Sequence, residues 1–217
     1  MAKLKLAVLI SGRGTNLQAL IDACADAEFP AEIAIVISNE ADAKGLERPR
    51  ALEIPTTVID HRGFAERVDF DATLGDAIRA SGATLVCLAG FMRLVTESLV
   101  REWRDRMINI HPSLLPAFRG LNTHARALAA GVRFAGCTVH FVRAEMDAGP
   151  IIVQAAVPVR SDDTAETLAD RVLAEEHRIY PLAVRLIAEG RVRVADETVR
   201  ISGGKAPETA LLNPLDD

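Results

Sequence analysis

Short apolar runs rich in β-branched residues recur along the first half of the chain, and segments with helical periodicity separate them. The apolar runs cover residues 6–10, 33–37, 56–59, 84–88 and 107–110. The helical segments cover residues 16–27, 43–52, 64–80 and 96–101. Runs that are almost wholly apolar are typical of strands covered on both faces. This alternation predicts an α/β, Rossmann-like fold with a mostly parallel central sheet and helices on both faces.

The pattern changes after Gly131. Residues 134–142 and 151–159 have the length and composition of two longer strands, with Asp147 in the loop between them. They predict a hairpin or an added sheet edge, and therefore an antiparallel addition in the C-terminal half. Two further short strands are expected near the end, at residues 192–194 and 198–201.

A long amphipathic helix is predicted between these two strand pairs, from Asp163 to about Glu189. Asp162 or Asp163 can cap its start, and Gly190 follows its end, where glycine is favoured. No repeat or linker divides the chain. We therefore expect a single domain over residues 1–202, followed by a flexible tail over residues 203–217.

Composition narrows the classes of function. Apolar residues make up 49% of the 217 residues and charged residues 25%, as in a globular protein with a sizeable core. The formal net charge of −5 argues against a nucleic-acid partner and requires that an anionic substrate be held by local positive features. No apolar stretch reaches transmembrane length, and the start lacks a signal-peptide core. We therefore expect a cytoplasmic protein with no membrane partner.

The three cysteines lie far apart in apolar runs, at Cys24, Cys87 and Cys137. Their placement predicts buried free thiols in a reducing compartment. The sequence contains no C-x-x-C pair, so we expect no metal site.

A glycine-rich turn at residues 11–16 joins the first strand to the first helix. Such a turn allows close backbone approach, and the helix start offers unpaired N–H groups to a phosphate. An ordinary turn with Thr15 as the helix cap explains the same residues equally well. It is neither the dinucleotide fingerprint, since Leu17 replaces the third glycine, nor a Walker loop.

Residues 89–95 follow the fourth strand, and ligands bind beyond the carboxyl ends of strands in open α/β sheets. This apolar segment is suited to line a pocket for a flat heterocycle. The alternative is a buried crossover with Arg93 in solvent, and position alone does not decide between them.

Asn109 and His111 end the fifth strand, and Pro112 fixes the turn that follows. Strand alternation directs both side chains to one side. An amide can stabilise an oxyanion, an imidazole can shuttle a proton, and the carboxylate of Asp147 can tune the imidazole. The three residues are therefore candidates for moving an acyl group between two nitrogens.

The other histidines are weaker candidates: His61, His124, His140 and His177. His140 lies in a predicted strand and fits a satisfied core histidine. His177 and the neighbouring Glu176 lie on the long helix, and Glu176 faces either solvent or the site.

Four segments, taken in order, resemble the phosphoribosylglycinamide formyltransferase family: residues 9–17, 88–93, 109–116 and 138–150. The resemblance covers about residues 4–195. The segments around Asn109 and Asp147 are shared with the wider superfamily of folate-dependent formyltransferases. The turn at residues 11–16 is the feature that indicates the glycinamide enzymes.

The resemblance implies transfer of the formyl group of 10-formyltetrahydrofolate to the amine of glycinamide ribonucleotide, in purine biosynthesis. It implies two halves, a phosphate-binding half to about residue 105 and a folate and catalytic half over residues 106–202. Small molecules would be the only ligands, and the protein would be a monomer or a homodimer. No metal or nucleotide energy is implied.

The resemblance also implies roles for individual residues. Asn109 would donate to the developing oxyanion, His111 would stabilise it and handle the proton, and Asp147 would favour the charged imidazole. The residues implied for the ribonucleotide are Gly14, Thr15, Asn16, Pro112 and Glu176. The residues implied for the folate are Arg67, Met92, Arg93, Leu94, Val95, Asn109, Arg143, Ala144, Glu145 and Met146.

Other functions remain open at this point. Related enzymes pass the formyl group to a sugar nucleotide or to a transfer RNA, or hydrolyse the formyl-folate. The turn at residues 11–16 speaks against a sugar nucleotide, and the acidic charge against RNA. A folate-binding protein without catalysis would have no need of Asn109, His111 and Asp147, and a bare nucleotide-binding module would explain only the glycine turn.

Overall fold

The computed structural model describes residues 2–214, and an open seven-stranded sheet forms its centre. The strands are β1 (Leu4–Ile10), β2 (Ala31–Ser38), β3 (Thr56–Val58), β4 (Leu85–Leu88), β5 (Met107–His111), β6 (Phe134–Phe141) and β7 (Ile151–Pro158). Their order across the sheet is β3-β2-β1-β4-β5-β6-β7. The pairs from β3 to β5 are parallel, whereas β5–β6 and β6–β7 are antiparallel. The predicted parallel sheet with an antiparallel addition is confirmed.

Helices cover both faces of this sheet, as expected. They are α1 (Thr15–Cys24), α2 (Glu47–Ala51), α3 (Arg67–Ala80), α4 (Glu97–Glu102), α5 (Thr123–Ala129) and α6 (Ala165–Ala188). Apolar residues of α1, α5 and α6 form one core cluster with the sheet. Apolar residues of α3 and α4 form a second cluster on the opposite face. The almost wholly apolar strands between them are buried from both sides.

Three details of the helices differ from the sequence-based expectation. The segment 43–52 is not one helix, because a 3₁₀ turn (Lys44–Leu46) precedes α2 and Pro49 lies within α2. Thr164, not Asp162 or Asp163, caps α6, through a capping box with Thr167. Helix α5 was not predicted, because it has only seven residues and buries only two of them, too few for a helical pattern.

Asp163 has a different role beside this cap. Its carboxylate accepts two hydrogen bonds from the guanidinium of Arg171, both at 2.8 Å. These hydrogen bonds hold the pKa of Asp163 well below its usual range. The acidic residue therefore joins the loop to the second turn of α6 without capping the helix.

Tyr180 fixes α6 against the centre of the sheet. Its side chain is fully buried, and its hydroxyl donates to the carbonyl of Leu88 at 2.9 Å and lies 3.4 Å from that of Ile108. Burial raises the pKa of Tyr180 well above its ordinary value, so the hydroxyl keeps its proton. The helix is thereby tied to the carboxyl end of β4 and to the middle of β5.

A separate hairpin follows α6, made of β8 (Val192–Ala195) and β9 (Thr198–Ile201), as predicted. Within residues 203–214 the amide of Asn213 donates to the carbonyls of Arg133 and Val159. A flexible tail over residues 203–217 stays a prediction, and residues 215–217 lie outside the described part. Among residues 2–214, no helix combines the length and apolar character needed to cross a membrane.

Gly136 in β6 provides a test of the antiparallel addition. A Cβ atom at Gly136 would lie 1.9 Å from the carbonyl oxygen of Ala155 in β7 and 2.9 Å from Leu114. We expect Gly136→Ala to lower the free energy of unfolding by more than about 2 kcal/mol, because two backbones would have to separate. Urea unfolding followed by circular dichroism measures this loss.

The matched control is Gly63→Ala, where a Cβ would meet no atom within 4 Å. That substitution should be neutral or stabilise by up to about 1 kcal/mol. Equal unfolding midpoints for the two variants would contradict the close packing of β6 against β7.

Candidate active site

The antiparallel pairing of β5 with β6 sets two polar side chains opposite each other, since Asn109 pairs with His140. The amide nitrogen of Asn109 lies 3.3 Å from Nε2 of His140. Nδ1 of the same ring lies 3.0 Å from the carbonyl oxygen of Phe141. Burial lowers the pKa of His140 to about 4, so the ring is neutral at physiological pH.

Because the His140 ring is neutral, only one of its two nitrogens carries a proton. The carbonyl of Phe141 only accepts, so Nδ1 of His140 carries the proton and Nε2 accepts from the Asn109 amide. The Asn109 side chain is thereby oriented with one N–H used and a second N–H left for a ligand. The expectation that His140 is a satisfied core histidine is accurate for its burial, but the ring also orients a candidate catalytic amide.

His111 is buried two residues further along the same strand. Its Nε2 lies 3.1 Å from the carbonyl oxygen of Phe118, and its Nδ1 lies 3.4 Å from the carboxylate of Asp147. Both ring nitrogens therefore face acceptors, an arrangement in which a protonated ring could donate from each.

Asp147 reaches this site from the loop between β6 and β7. It occupies a left-handed backbone conformation with φ of 53°. Its Oδ2 accepts the backbone N–H of Gly120 at 2.9 Å, and its Oδ1 lies 3.9 Å from Nε2 of His140. The structure thus brings Asn109, His111 and Asp147 together, and adds His140 to them.

The glycine turn after β1 leads directly into the first turn of α1. Gly14, not Thr15, occupies the N-cap position, with φ of 69° and no side-chain cap. A Cβ atom at Gly14 would lie 2.8 Å from the backbone of Gly45. Only glycine fits there, because the left-handed conformation and the close approach both exclude a side chain.

Asn16 and Glu176 meet in the interior beside this turn. The Asn16 amide donates to the Glu176 carboxylate at 2.7 Å, and both residues are buried. Burial raises the pKa of Glu176, and the Asn16 hydrogen bond offsets part of that rise. Glu176 therefore faces the interior beside the turn and not solvent.

A cavity of about 340 Å³ opens next to the same turn. Its lining includes three basic residues, Arg13, Lys44 and Arg48, and one acidic residue, Glu47. Within residues 2–214, neither Arg13 nor Lys44 lies within 4 Å of a carboxylate. The cavity thus supplies the local positive charge that an acidic protein needs for an anionic ligand. Sequence reasoning missed Lys44, which lies six residues after the end of β2.

Four apolar side chains in the segments after β4 and around residues 120–147 are exposed: Met92, Leu94, Leu121 and Met146. The segment after β4 is held by Ser11, whose hydroxyl accepts the N–H of Met92 at 2.8 Å and donates to Asn39. Arg93 is not simply solvated, since its guanidinium lies 5.1 Å from the centre of the Phe70 ring. Backbone and apolar side chains of this segment are therefore available to a flat ligand.

The remaining candidate binding residues have different surroundings. Arg67 is exposed at the start of α3, and Ala144 is exposed in the loop after β6. Glu145 forms an ion pair with Arg119. Arg143 directs its guanidinium towards Asp105 and Glu197. Val95 and Pro112 are partly buried, and Pro112 lines a second cavity of about 140 Å³ beside α5. In the described part of the chain, no group of three or more His, Cys, Asp or Glu residues could hold a metal ion.

Comparisons with known proteins identify relatives of this chain. A family model described as formyl transferase matches residues 4–184. A phosphoribosylglycinamide formyltransferase from Haemophilus influenzae is 43% identical over 96% of this chain and 99% of its own length. A trifunctional purine biosynthetic protein adenosine-3 from Gallus gallus is 50% identical over 89% of this chain, which spans 19% of that protein.

Solved structures agree with the sequence relatives. The crystal structure of glycinamide ribonucleotide transformylase 1 from Symbiobacterium toebii superposes with a TM-score of 0.89 at 53% identity, covering 92% of this chain and 94% of that one. The family model covers most of the chain, and the relative from Haemophilus influenzae matches it along nearly its full length. The chain therefore belongs to the formyl transferase family.

Proposed function

We propose that this chain transfers the formyl group of 10-formyltetrahydrofolate to the amine of glycinamide ribonucleotide, as a step of purine biosynthesis. The observation that carries the proposal is the meeting of Asn109, His111 and Asp147 at the β5–β6 pair. The named activity of the relative from Haemophilus influenzae supports the choice of acceptor. The catalytic unit would be one domain over residues 1–202, with its phosphate-binding half ending near residue 105.

The reaction requires a site for negative charge on the formyl oxygen. When the amine lone pair forms the new C–N bond, the electrons of the C=O double bond move onto that oxygen. The free N–H of Asn109 can donate to it, since His140 already holds the other N–H and fixes the amide plane. A donor oriented in advance stabilises such an oxyanion without reorganisation during the reaction.

The reaction also requires a path for one proton, from the attacking amine to the folate nitrogen that leaves. His111 would carry this proton on Nε2 once the substrate replaces the Phe118 carbonyl there, while Nδ1 stays against Asp147. Asp147 would hold the ring in place and stabilise its positive charge. The N–H of Gly120 in turn fixes Asp147, so the carboxylate keeps one position while the imidazole changes charge.

The two substrates would approach from different regions. The ribonucleotide phosphate would lie at the turn of Gly14, Thr15 and Asn16, with Glu176 bound to the sugar and glycinamide portion. The folate would pack on the exposed apolar side chains of Met92, Leu94 and Met146. Packing against the faces of the flat folate rings would remove these exposed apolar groups from water.

An assay of formyl-folate consumption by absorbance, with and without glycinamide ribonucleotide, tests the proposed function. We expect turnover only when the ribonucleotide is present. Consumption of the donor without an acceptor would show a hydrolase. Folate binding without turnover under either condition would show a different acceptor or a protein that only binds folate.

Asn109→Ala tests the oxyanion role. Removing one donor of this kind lowers kcat on the order of 100- to 1,000-fold, and we expect a loss in that range with little change in either KM. Asn213→Ala is the matched control, because the Asn213 amide donates to two backbone carbonyls remote from the proposed catalytic group. A loss of only a few-fold in Asn109→Ala would assign Asn109 a positioning role.

Glu176→Gln separates stability from substrate binding. A raised carboxyl pKa means that the folded chain disfavours the ionised form, so stability falls as pH rises above the ordinary value of 4.5. Glutamine removes this cost and still accepts from Asn16. We expect a higher melting temperature than the parent at pH 7.5, and a difference that shrinks towards pH 4.

The same variant should bind the ribonucleotide less well. Hydrogen bonds to charged groups contribute about 1.5–3 kcal/mol, so KM for glycinamide ribonucleotide should rise about tenfold or more. KM for the folate should not change. An unchanged KM for the ribonucleotide would exclude Glu176 as a ligand of that substrate.

A further inference from the structure

Arg143 begins the short loop that carries Asp147, and its side chain is almost fully enclosed, with 11% of its surface exposed. Its Nε donates to Oε2 of Glu197 at 2.6 Å. Its Nη2 donates to Oδ1 of Asp105 at 2.7 Å, and its Nη1 donates to the carbonyl of Val142. We refer to Arg143, Asp105 and Glu197 as the Arg143 clamp.

The two carboxylates of the Arg143 clamp come from distant parts of the chain. Asp105 lies in the turn between α4 and β5, 38 residues before Arg143. Glu197 lies at the tip of the β8–β9 hairpin, 54 residues after it. The hairpin is separate from the central sheet, so the clamp connects it to the loop that reaches the catalytic group.

Asp105 and Glu197 both have a backbone conformation that non-glycine residues rarely adopt. Asp105 has φ of 56° and Glu197 has φ of 54°, in the left-handed region that favours glycine. In the hairpin tip, Asp196 and Glu197 take the two central positions of a tight turn, where Asn-Gly or Asp-Gly is preferred. Strain of this kind persists where the surrounding contacts over-determine the conformation.

Glu197 carries its negative charge at neutral pH. Hydrogen bonding and charge attraction from Arg143, with a further contribution from Arg104, lower the pKa of Glu197. Arg143 is the residue through which the two carboxylates contact the loop, and it lies two residues after the end of β6 and four residues before Asp147. Shifting Arg143 would therefore shift the carboxylate that faces His111.

We propose that Glu197 and Asp105 are positioning residues for formyl transfer: through Arg143 they hold the loop of residues 143–147 and set Asp147 against His111. The kinetic part of this inference rests on the proposed function. The structural part does not, since the loop is held whether or not a substrate is bound.

Glu197→Gly gives opposite expectations for stability and activity. Glycine suits a left-handed turn, so the melting temperature should stay equal or rise. The loop loses one of its two carboxylate anchors, so hydrogen exchange of the amides in residues 143–148 should become faster in the protein without substrates. Glu197 is about half exposed although Arg143 is enclosed, and an ion pair with an exposed partner corresponds to at most about fivefold in an equilibrium. We therefore expect kcat/KM for the folate to fall about threefold to fivefold.

Asp105→Asn removes the other carboxylate and should accelerate exchange in the same loop. Glu197→Gln, made in an Arg143→Leu background, should add no further change, because the partner of Glu197 in the loop is already gone. KM for the ribonucleotide should not change in any of these variants.

Two controls isolate the clamp from the rest of the hairpin. Asp196→Asn removes a charge from the same turn, at a residue that has no ion pair in the described part of the chain. Arg104→Gln removes the ion pair that Glu197 makes outside the loop. Both should leave exchange in residues 143–148 and kcat/KM within about a factor of two of the parent.

Unchanged exchange of residues 143–148 in both Glu197→Gly and Asp105→Asn would overturn the proposal. So would faster exchange without any loss of kcat/KM in a protein that transfers the formyl group. If the parent protein itself does not transfer the formyl group, the proposed function fails, and the exchange measurement still decides whether the clamp holds the loop.

Discussion

The reversal of chain direction between β5 and β6 is the constraint on which the candidate active site depends. In a parallel pair, the end of β6 would lie beside the end of β5. The antiparallel register instead sets Asn109 opposite His140 and carries the chain from Phe141 directly into the loop of Asp147. One strand pairing thus supplies the amide, the ring that orients it, and the short path to the carboxylate.

The two histidines near Asp147 are both buried, but they differ in the atoms that contact their rings. His140 is enclosed and neutral, and it acts as a fixed acceptor. His111 is also enclosed, but its two ring nitrogens lie against a carboxylate and a carbonyl. Under the proposed function, one ring would orient the amide and the other would handle the proton, because their surroundings differ.

The sequence predicted most of the sheet, since its central strands are distinct apolar runs covered on both faces. The helix of residues 123–129 was missed because two buried residues give no periodic signal. Asn109, His111 and Asp147 were predicted to act together because polar residues beside apolar strands are conspicuous, and the structure places them close to one another. The roles of His140 and Lys44 were not predicted, because they depend on pairing register and on a cavity between distant segments. The Arg143 clamp joins residues 38 and 54 positions apart, a relationship that local pattern cannot show.

Tyr180 has a consequence for how the two substrates are received. Glu176 lies one helical turn before Tyr180, so both side chains project from the same side of α6. The buried hydroxyl fixes the position of α6 on β4 and β5, because sliding or rotating the helix would break the hydrogen bonds of Tyr180. The ribonucleotide would meet a rigid receptor whose shape exists in advance, while the folate meets loops that can adjust. The protein would then select its acceptor by shape complementarity to a rigid site. It would select among folates by the free-energy cost of rearranging the loops that bind them.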